Sequence, residues 1–288
     1  MKNLLTTIAL LGVMLLPACC QYKDKEEEIV PTTPTVVTNT NFKKTIHENP
    51  LSDQILGTVI SKSLGTLVYS IKSQALAGAI AIDATTGELT VADATLYDFE
   101  TNPTLTAMVE VTNGSATETL NVTITLTNLN EIGDFKEGGI IFWIDPTDNA
   151  KGLVVGLNDL GDAKWGCYGT SILGAQGATV GTGAQNTLAI EAGCTPSGTA
   201  SDLCANSTIG GYSDWFLPSI DALSLLYLNR AVITPALSAN SGAFLFSTRY
   251  WSSTERSSNN AWLYSFFSGT SSNFNKFNTF RVRAVRAF

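Results

Sequence analysis

Between Thr119 and Thr127 apolar and polar residues alternate without a break, Thr-Leu-Asn-Val-Thr-Ile-Thr-Leu-Thr. A period of two suits a half-buried β-strand and is incompatible with a one-faced helix, so Leu120, Val122, Ile124 and Leu126 are expected on a single buried face. The same habit recurs upstream in short runs rich in β-branched residues: Leu67 to Ile71, Ile80 to Asp83, Glu88 to Val91 and Leu105 to Thr112. Gly- and Asn-marked turns separate them, and helical periodicity is absent. Several such strands in roughly 90 residues predict a β-sandwich over residues 42–131.

The 288 residues exceed what one modest core needs, and a second domain is expected over residues 132–288. A net charge of −8 repels phosphate backbones, which argues against nucleic acid as a partner and makes cations the more natural guests. The start of the chain carries a different message. Lys2, the apolar run Leu4 to Leu16 and the lipobox-like Leu16-Pro17-Ala18-Cys19 read as a bacterial lipoprotein signal over residues 1–18. That run falls short of the ~20 apolar residues a membrane span requires. Cleavage leaves the Cys19 thiol for acylation, and each buried acyl methylene contributes roughly 0.8 kcal/mol to membrane attachment. Residues 19–41, with Lys-Asp-Lys-Glu-Glu-Glu and then a Pro/Thr/Val stretch, read as an extended tether. Acids close behind the lipidated cysteine resemble the export signal that takes some Gram-negative lipoproteins to the cell exterior. The expected location is therefore the outer membrane, lipid-anchored and facing outward.

Of five cysteines, Cys167, Cys194 and Cys204 lie in the second domain. One structural disulfide is expected in an oxidising compartment, most simply Cys194 with Cys204, leaving Cys167 buried or paired elsewhere. Zinc is disfavoured because the sole histidine, His47, lies far from all three.

Four pieces of the first domain resemble a cadherin repeat in order and spacing. Glu48-Asn49-Pro50 with Gly57-Thr58-Val59 resembles its opening, and Ile82-Asp83 with Thr86-Gly87-Glu88-Leu89-Thr90-Val91 its central hairpin. Tyr97-Asp98-Phe99-Glu100 resembles the "lDxE" motif, and Asn128-Leu129-Asn130-Glu131 the closing linker. The resemblance implies a Greek-key sandwich with calcium held by Glu48, Asp98, Glu100 and Glu131. Calcium takes about 6 to 8 oxygen ligands, and gathering four carboxylates without a cation would raise their proton affinity. Two departures stand against a full set. Ser61-Lys62-Ser63-Leu64-Gly65 occupies the place of the repeat's internal "DxD", and Asn128 stands where the linker usually begins with an acid.

In the second domain Gly-Gly-Ile-Ile-Phe-Trp reads as a buried strand, with a second at Leu153 to Leu157. A helix is expected from Ser219, whose hydroxyl can cap free amides while Asp221 suits the first turn. A less sharply marked one is expected near Thr187 to Ala192, and a closing β-meander over Phe244 to Trp251, Ala261 to Phe267 and Phe280 to Phe288. Asp214-Trp215-Phe216-Leu217-Pro218-Ser219, Tyr250-Trp251-Ser252-Ser253-Thr254-Glu255, Ala261-Trp262 and Val282-Arg283-Ala284-Val285-Arg286-Ala287-Phe288 together resemble the domain that ends bacterial collagen-like surface adhesins. That resemblance implies a C-type lectin-like α+β fold related to sulfatase-modifying-factor domains.

A glycan or protein ligand would be met in the loops Trp165 to Thr182 and Ser252 to Asn278, with Trp165, Trp251, Glu255, Asn259, Asn260 and Asn275 as candidate contacts. The Glu-Pro-Asn, Gln-Pro-Asp and Trp-Asn-Asp triplets of calcium-dependent sugar lectins are missing, so ligand contact is expected to be direct. An internal ion pair from Arg283 or Arg286 to an acid such as Glu255 is the competing use of these charges. Enzymatic activity is disfavoured: a serine triad would have to use His47, far from any nucleophile elbow, and no cysteine follows Cys204 where formylglycine-generating relatives need a pair. The expected function is a cell-surface lipoprotein for adhesion or recognition, a calcium-binding stalk presenting a lectin-like domain. The alternative is a structural display module of the envelope without a specific ligand.

Overall fold

A computed structural model describes residues 37–245 and 248–288. The signal peptide, Cys19 and nearly all of the tether lie outside the described residues. Strands β1 (Thr38–Asn39), β2 (Phe42–His47), β3 (Ile55–Thr58), β4 (Ser61–Lys62), β5 (Val68–Gln74), β6 (Ile80–Ile82), β7 (Glu88–Val91), β8 (Thr104–Thr112) and β9 (Thr117–Thr127) build the first domain. They form a four-stranded sheet β2-β9-β8-β5, a three-stranded sheet β3-β7-β6 and a small β1-β4 pair. Strand β2 runs parallel to β9; the other pairs are antiparallel.

The expected alternation is realised in the core. Leu120, Val122, Ile124 and Leu126 of β9 are all buried, and Leu105, Ala107, Val109 and Val111 of β8 lie on the same side, with Leu105 opposite Ile124 and Val109 opposite Leu120. They pack with Leu56, Leu89 and Val91 of the second sheet. Each such side chain taken out of water contributes roughly 1.5–3 kcal/mol. The β6–β7 hairpin turns on Asp83, whose carboxylate accepts from the amides of Thr85 and Thr86, and on Gly87 at φ +73°. A Cβ at Gly87 would meet Val59 at 2.9 Å, so the turn requires both its left-handed backbone and its missing side chain.

The second domain contains β10 (Phe135–Lys136), β11 (Gly139–Asp145), β12 (Asp148–Gly156), β13 (Gly161–Lys164), helices α1 (Gly183–Gly193), α2 (Ala200–Ala205), α3 (Ile220–Leu228) and α4 (Arg230–Ala239), then β14 (Arg249–Glu255), β15 (Asn260–Ser265), β16 (Thr270–Asn275), β17 (Thr279–Val282) and β18 (Val285–Ala287). Two sheets result, β10-β11-β12-β18 and β13-β17-β14-β15-β16. The first is buried on both faces: Ile140, Phe142, Leu153 and Val155 join one core with α3 and α4, while Ile141 and Val154 join another with Trp165, Trp215 and Trp251. That explains the unbroken apolar run at the start of β11. Ser219 caps α3 by accepting from the Ala222 amide, as expected.

Four features depart from the sequence reading. The chain end is not a meander, because β17 runs parallel to β14, with Tyr250 opposite Arg281, and β18 leaves for the other sheet beside β12. Strand β16 occupies part of the expected Ser252–Asn278 loop; its Ser- and Asn-rich sequence is a poor strand former and is held by pairing to β15. Helix α4 contains Pro235 and meets α3 at an 80° bend, so neither periodicity nor propensity announced it. The short helix α2 was also unforeseen. Among the described residues no single helix is long and apolar enough to cross a membrane.

Candidate metal centre and recognition surface

Three of the four carboxylates assigned to calcium converge. Ligand-capable oxygens of Glu48, Asp98 and Glu100 all lie within 4.8 Å of one another. Glu48 follows β2 directly, where its amide donates to the Thr127 carbonyl (3.2 Å), which pins it beside the end of β9. Asn49, at φ 55°, turns the chain sharply and donates its amide to the Tyr97 carbonyl at 2.9 Å, drawing in the 97–100 loop. That loop is anchored by Tyr97, fully buried with its hydroxyl on the Ala79 carbonyl. Burial pushes the Tyr97 phenol up to about 12.

Glu48 is the buried member of the trio, and both of its oxygens are engaged: Oε2 accepts from the Phe99 amide (2.7 Å) and Oε1 from the Leu129 amide (2.6 Å). Asp98 accepts from the amide and hydroxyl of Thr101, and Glu100 from the Asn128 side chain at 2.6 Å. Desolvation raises the Glu100 carboxyl above its ordinary range, and the carboxylates of Glu48, Asp134 and Glu131 push the same way. Glu131 stands outside the tight trio and accepts from the Asn49 side chain. Asp134, in the second domain, contributes to the same negative field and also receives the Glu131 amide at 2.8 Å. It went unnoticed in the sequence because it lies past the linker motif.

Two asparagines fasten the junction. The Asn130 amide donates to Asn149 Oδ1 (2.7 Å), Asn130 Nδ2 to the Asn149 carbonyl (2.6 Å), and Asn149 Nδ2 back to the Asn130 carbonyl (2.9 Å). The carboxylate cluster therefore sits at the end of the sandwich that faces the second domain.

The expected ligand contacts of the second domain do not form one site. Trp165 and Trp251 are fully buried, their indole N–H groups donating to the carbonyls of Ser252 (2.8 Å) and Ala163 (3.0 Å), so they are core residues and not sugar platforms. Glu255 is buried too. It accepts from Lys276 Nζ (2.5 Å), Gln176 Nε2 (2.6 Å), the Ile172 amide (2.8 Å) and Ser171 Oγ (3.2 Å). Lys276, equally buried, also donates to the Thr170 carbonyl and lies 4.5 Å from the Trp165 ring. Its ammonium pKa is lowered by desolvation. This pair fastens the 170–176 loop to the β15–β16 hairpin. Neither arginine reaches Glu255: Arg283 pairs with Asp159 at 2.9 Å inside the domain, and Arg286 with Asp214 and Glu137 at its edge. Asn260 and Asn275 face each other across β15 and β16, with Asn259 exposed next to them and its carbonyl accepting from the Lys276 amide at 2.9 Å.

The disulfide also differs from expectation. Cys194 bonds Cys167, with Cα atoms 5.6 Å apart, and Cys204 is the free, buried thiol. Loop length favoured the nearer partner in sequence, but Cys204 faces inward from α2, where burial raises its thiol pKa far above the ordinary value. Beside the disulfide is a cleft of about 370 Å³ bordered by Lys164, Gly166, Tyr168, Pro196, Ser197, Thr199 and Phe277. Tyr168 and Phe277 are each about half exposed, 52% and 54%, and meet edge to face with centroids 5.3 Å apart.

The described residues thus form a β-sandwich with a carboxylate trio at its tip, joined to an α+β domain carrying an aromatic cleft. Residues 170–286 match the family model of the Lcl C-terminal domain. No curated protein matches. Among solved structures the chain is similar to the human desmocollin-1 ectodomain (22% identity, 34% of this chain and 21% of that one, TM-score 0.32). It is also similar to Drosophila N-cadherin EC1-4 (25%, 32% and 24%, TM-score 0.29) and to human protocadherin-24 EC1-2 (17%, 34% and 46%, TM-score 0.31). The matched part spans about a fifth to under half of those chains.

Proposed function

We propose that this chain is a lipid-anchored cell-surface protein in which a calcium-braced, cadherin-like sandwich holds a C-type lectin-like domain away from the membrane for binding a glycan or protein ligand. The observation that carries the calcium part is the convergence of Glu48, Asp98 and Glu100 within 4.8 Å at the interdomain end, next to Glu131 and Asp134. A hard divalent cation is the species that relieves such crowding, because oxygen donors alone surround it. Acylation of Cys19 supplies the anchor and residues 19–41 the tether. The match of residues 170–286 to the Lcl C-terminal domain supports a bacterial surface setting. The lectin-like reading is supported by the way β18 returns the chain end to β12. We infer no enzymatic activity: His47, the sole histidine, sits on β2 opposite Thr127 with its ring nitrogen 2.8 Å from that residue's hydroxyl.

Calcium bound only to the folded sandwich stabilises it by RT ln(1 + [Ca²⁺]/Kd). With Kd in the range of extracellular modules, about 10⁻⁴ to 10⁻³ M, 2 mM calcium is worth roughly 0.7–1.8 kcal/mol. At about 4–8 °C per kcal/mol for a domain of this size, calorimetry in calcium against chelator should show the first transition rising by roughly 3–14 °C. The rise should disappear in Glu100→Ala. An unchanged transition would remove calcium and leave the second reading, a display module without metal. One observation favours that reading: the two oxygens of Glu48 are already satisfied by backbone amides.

A further inference from the structure

Resting on the reading of the second domain as a recognition module, we propose that the cleft between Tyr168 and Phe277 binds a protein partner through an apolar or aromatic side chain carried next to a free carboxylate, as at a peptide C-terminus. Three observations select this chemistry.

The first is the aromatic wall. Tyr168 and Phe277 stand half exposed at one place and touch each other edge to face. Their backbones are fixed independently. Tyr168 follows Cys167, tied by its sulfur to Cys194, and Phe277 follows Lys276, whose ammonium is locked into Glu255 and whose carbonyl accepts from the Trp165 amide at 3.1 Å. Rings held on rigid supports lose little entropy when a ligand packs on them.

The second is charge. In a chain of net charge −8, no Asp or Glu borders this cleft. Lys276 is neutralised internally by Glu255, whereas Lys164 is exposed at the rim and, among the described residues, has no carboxylate within ion-pair distance. Asp202, just behind Gly198, has its oxygens turned to the Gly198 amide and the Asn206 side chain. A carboxylate entering here meets one ammonium and no opposing acid.

The third is what the walls lack. No Asn, Gln, Asp or Glu side chain borders the cleft, so the paired planar acceptors and donors that grip neighbouring sugar hydroxyls are missing. A volume of about 370 Å³ admits one large side chain with its terminal carboxylate.

The test uses the 15N-labelled mature chain and four probes: the hexapeptide Gly-Ser-Gly-Ser-Gly-Phe as the free acid, the same peptide amidated at its C-terminus, its Ser-terminated counterpart, and maltohexaose. The free-acid Phe peptide is expected to shift the Tyr168 and Phe277 amide resonances saturably. Amidation should weaken it about three- to fivefold, the scale of a solvent-exposed ion pair. The Ser peptide and the sugar should leave the cleft unshifted. Phe277→Ala, at a half-exposed position, should weaken binding at least about tenfold. Lys164→Gln should erase the difference between acid and amide while leaving the amidated peptide's affinity unchanged. Equal affinity for acid and amide, absence of saturable shifts at millimolar peptide, or shifts produced by maltohexaose in place of the peptides would each overturn the proposal. If the domain captures ligands on glycan or matrix-protein arrays and Phe277→Ala leaves capture intact, the cleft assignment fails while the recognition reading stands.

Discussion

Replacing Glu255 by Gln should destabilise the second domain by about 3–5 kcal/mol, the cost of leaving one partner of a buried ion pair uncompensated. The magnitude follows from the surroundings. The Lys276 side chain has 0% exposure and that of Glu255 1%, so water cannot replace the missing charge. Around Glu255, the Lys276 ammonium, the Gln176 amide, the Ile172 N–H and the Ser171 hydroxyl all donate; a Gln accepts through one oxygen only, so at least one donor would be orphaned in addition to the lysine's lost counter-charge. Lys276→Met leaves the converse problem, a buried carboxylate, and should cost a similar amount. The double variant should cost clearly less than the sum of the two, because the second substitution removes the charge the first had stranded. Urea unfolding followed by tryptophan fluorescence reads this directly, since Trp165, Trp251, Trp215, Trp143 and Trp262 all belong to the second domain. In thermal unfolding the single variants should lose about 6–20 °C from the second transition. Losses below about 1 kcal/mol, the range of exposed pairs, would refute the buried-latch reasoning, and so would strict additivity in the double variant.

Two further outcomes follow from the same physics. Because Glu100 is raised from 4.5 in the folded state, its contribution to stability is complete below pH 4.5 and is lost as pH climbs through the raised folded value. In chelator the sandwich transition should therefore fall as pH rises above 4.5, and Glu100→Gln should flatten the slope; Asp83, lowered from 3.8, acts only below that pH and with the opposite sign. A chelator profile that rises over this interval in the parent protein would contradict the assignment. Cys167→Ser should cost about 3.5 kcal/mol from the 27-residue separation it releases, while peptide mapping after alkylation should find Cys204 labelled only in denaturant and Cys167 and Cys194 labelled only after reduction. Native labelling of Cys204, or a Cys194–Cys204 peptide, would reverse the pairing.

Legibility followed the range of the interactions. Strand periodicity is local, so the buried face of β9, the extent of β7 and the start of α3 could be read from neighbouring residues alone. The acidic trio was readable only through the resemblance of its motifs to a cadherin repeat, since nothing local to Glu48, Asp98 or Glu100 says that they meet. Glu131 was less well placed, since it belongs to a linker whose course is set by the Asn130–Asn149 contacts with the next domain. Trp165, Trp251 and Glu255 were misjudged because a loop tryptophan and a terminal acid look alike in sequence whether they face solvent or a buried lysine twenty-one residues away.

The chain's alternation and turn residues by themselves determined the β-sandwich, because strand periodicity is read from residues a few positions apart; the gathering of the acids at its end, implied by the resemblance to a cadherin repeat, is made by contacts fifty and more residues apart. The choice of Cys167 over Cys204 for Cys194, the insertion of β17 beside β14, the burial of Lys276 with Glu255 and the exposure of Tyr168 with Phe277 belong to the tertiary structure. Each depends on which distant segments share a volume, and close packing allows only one arrangement to fill it.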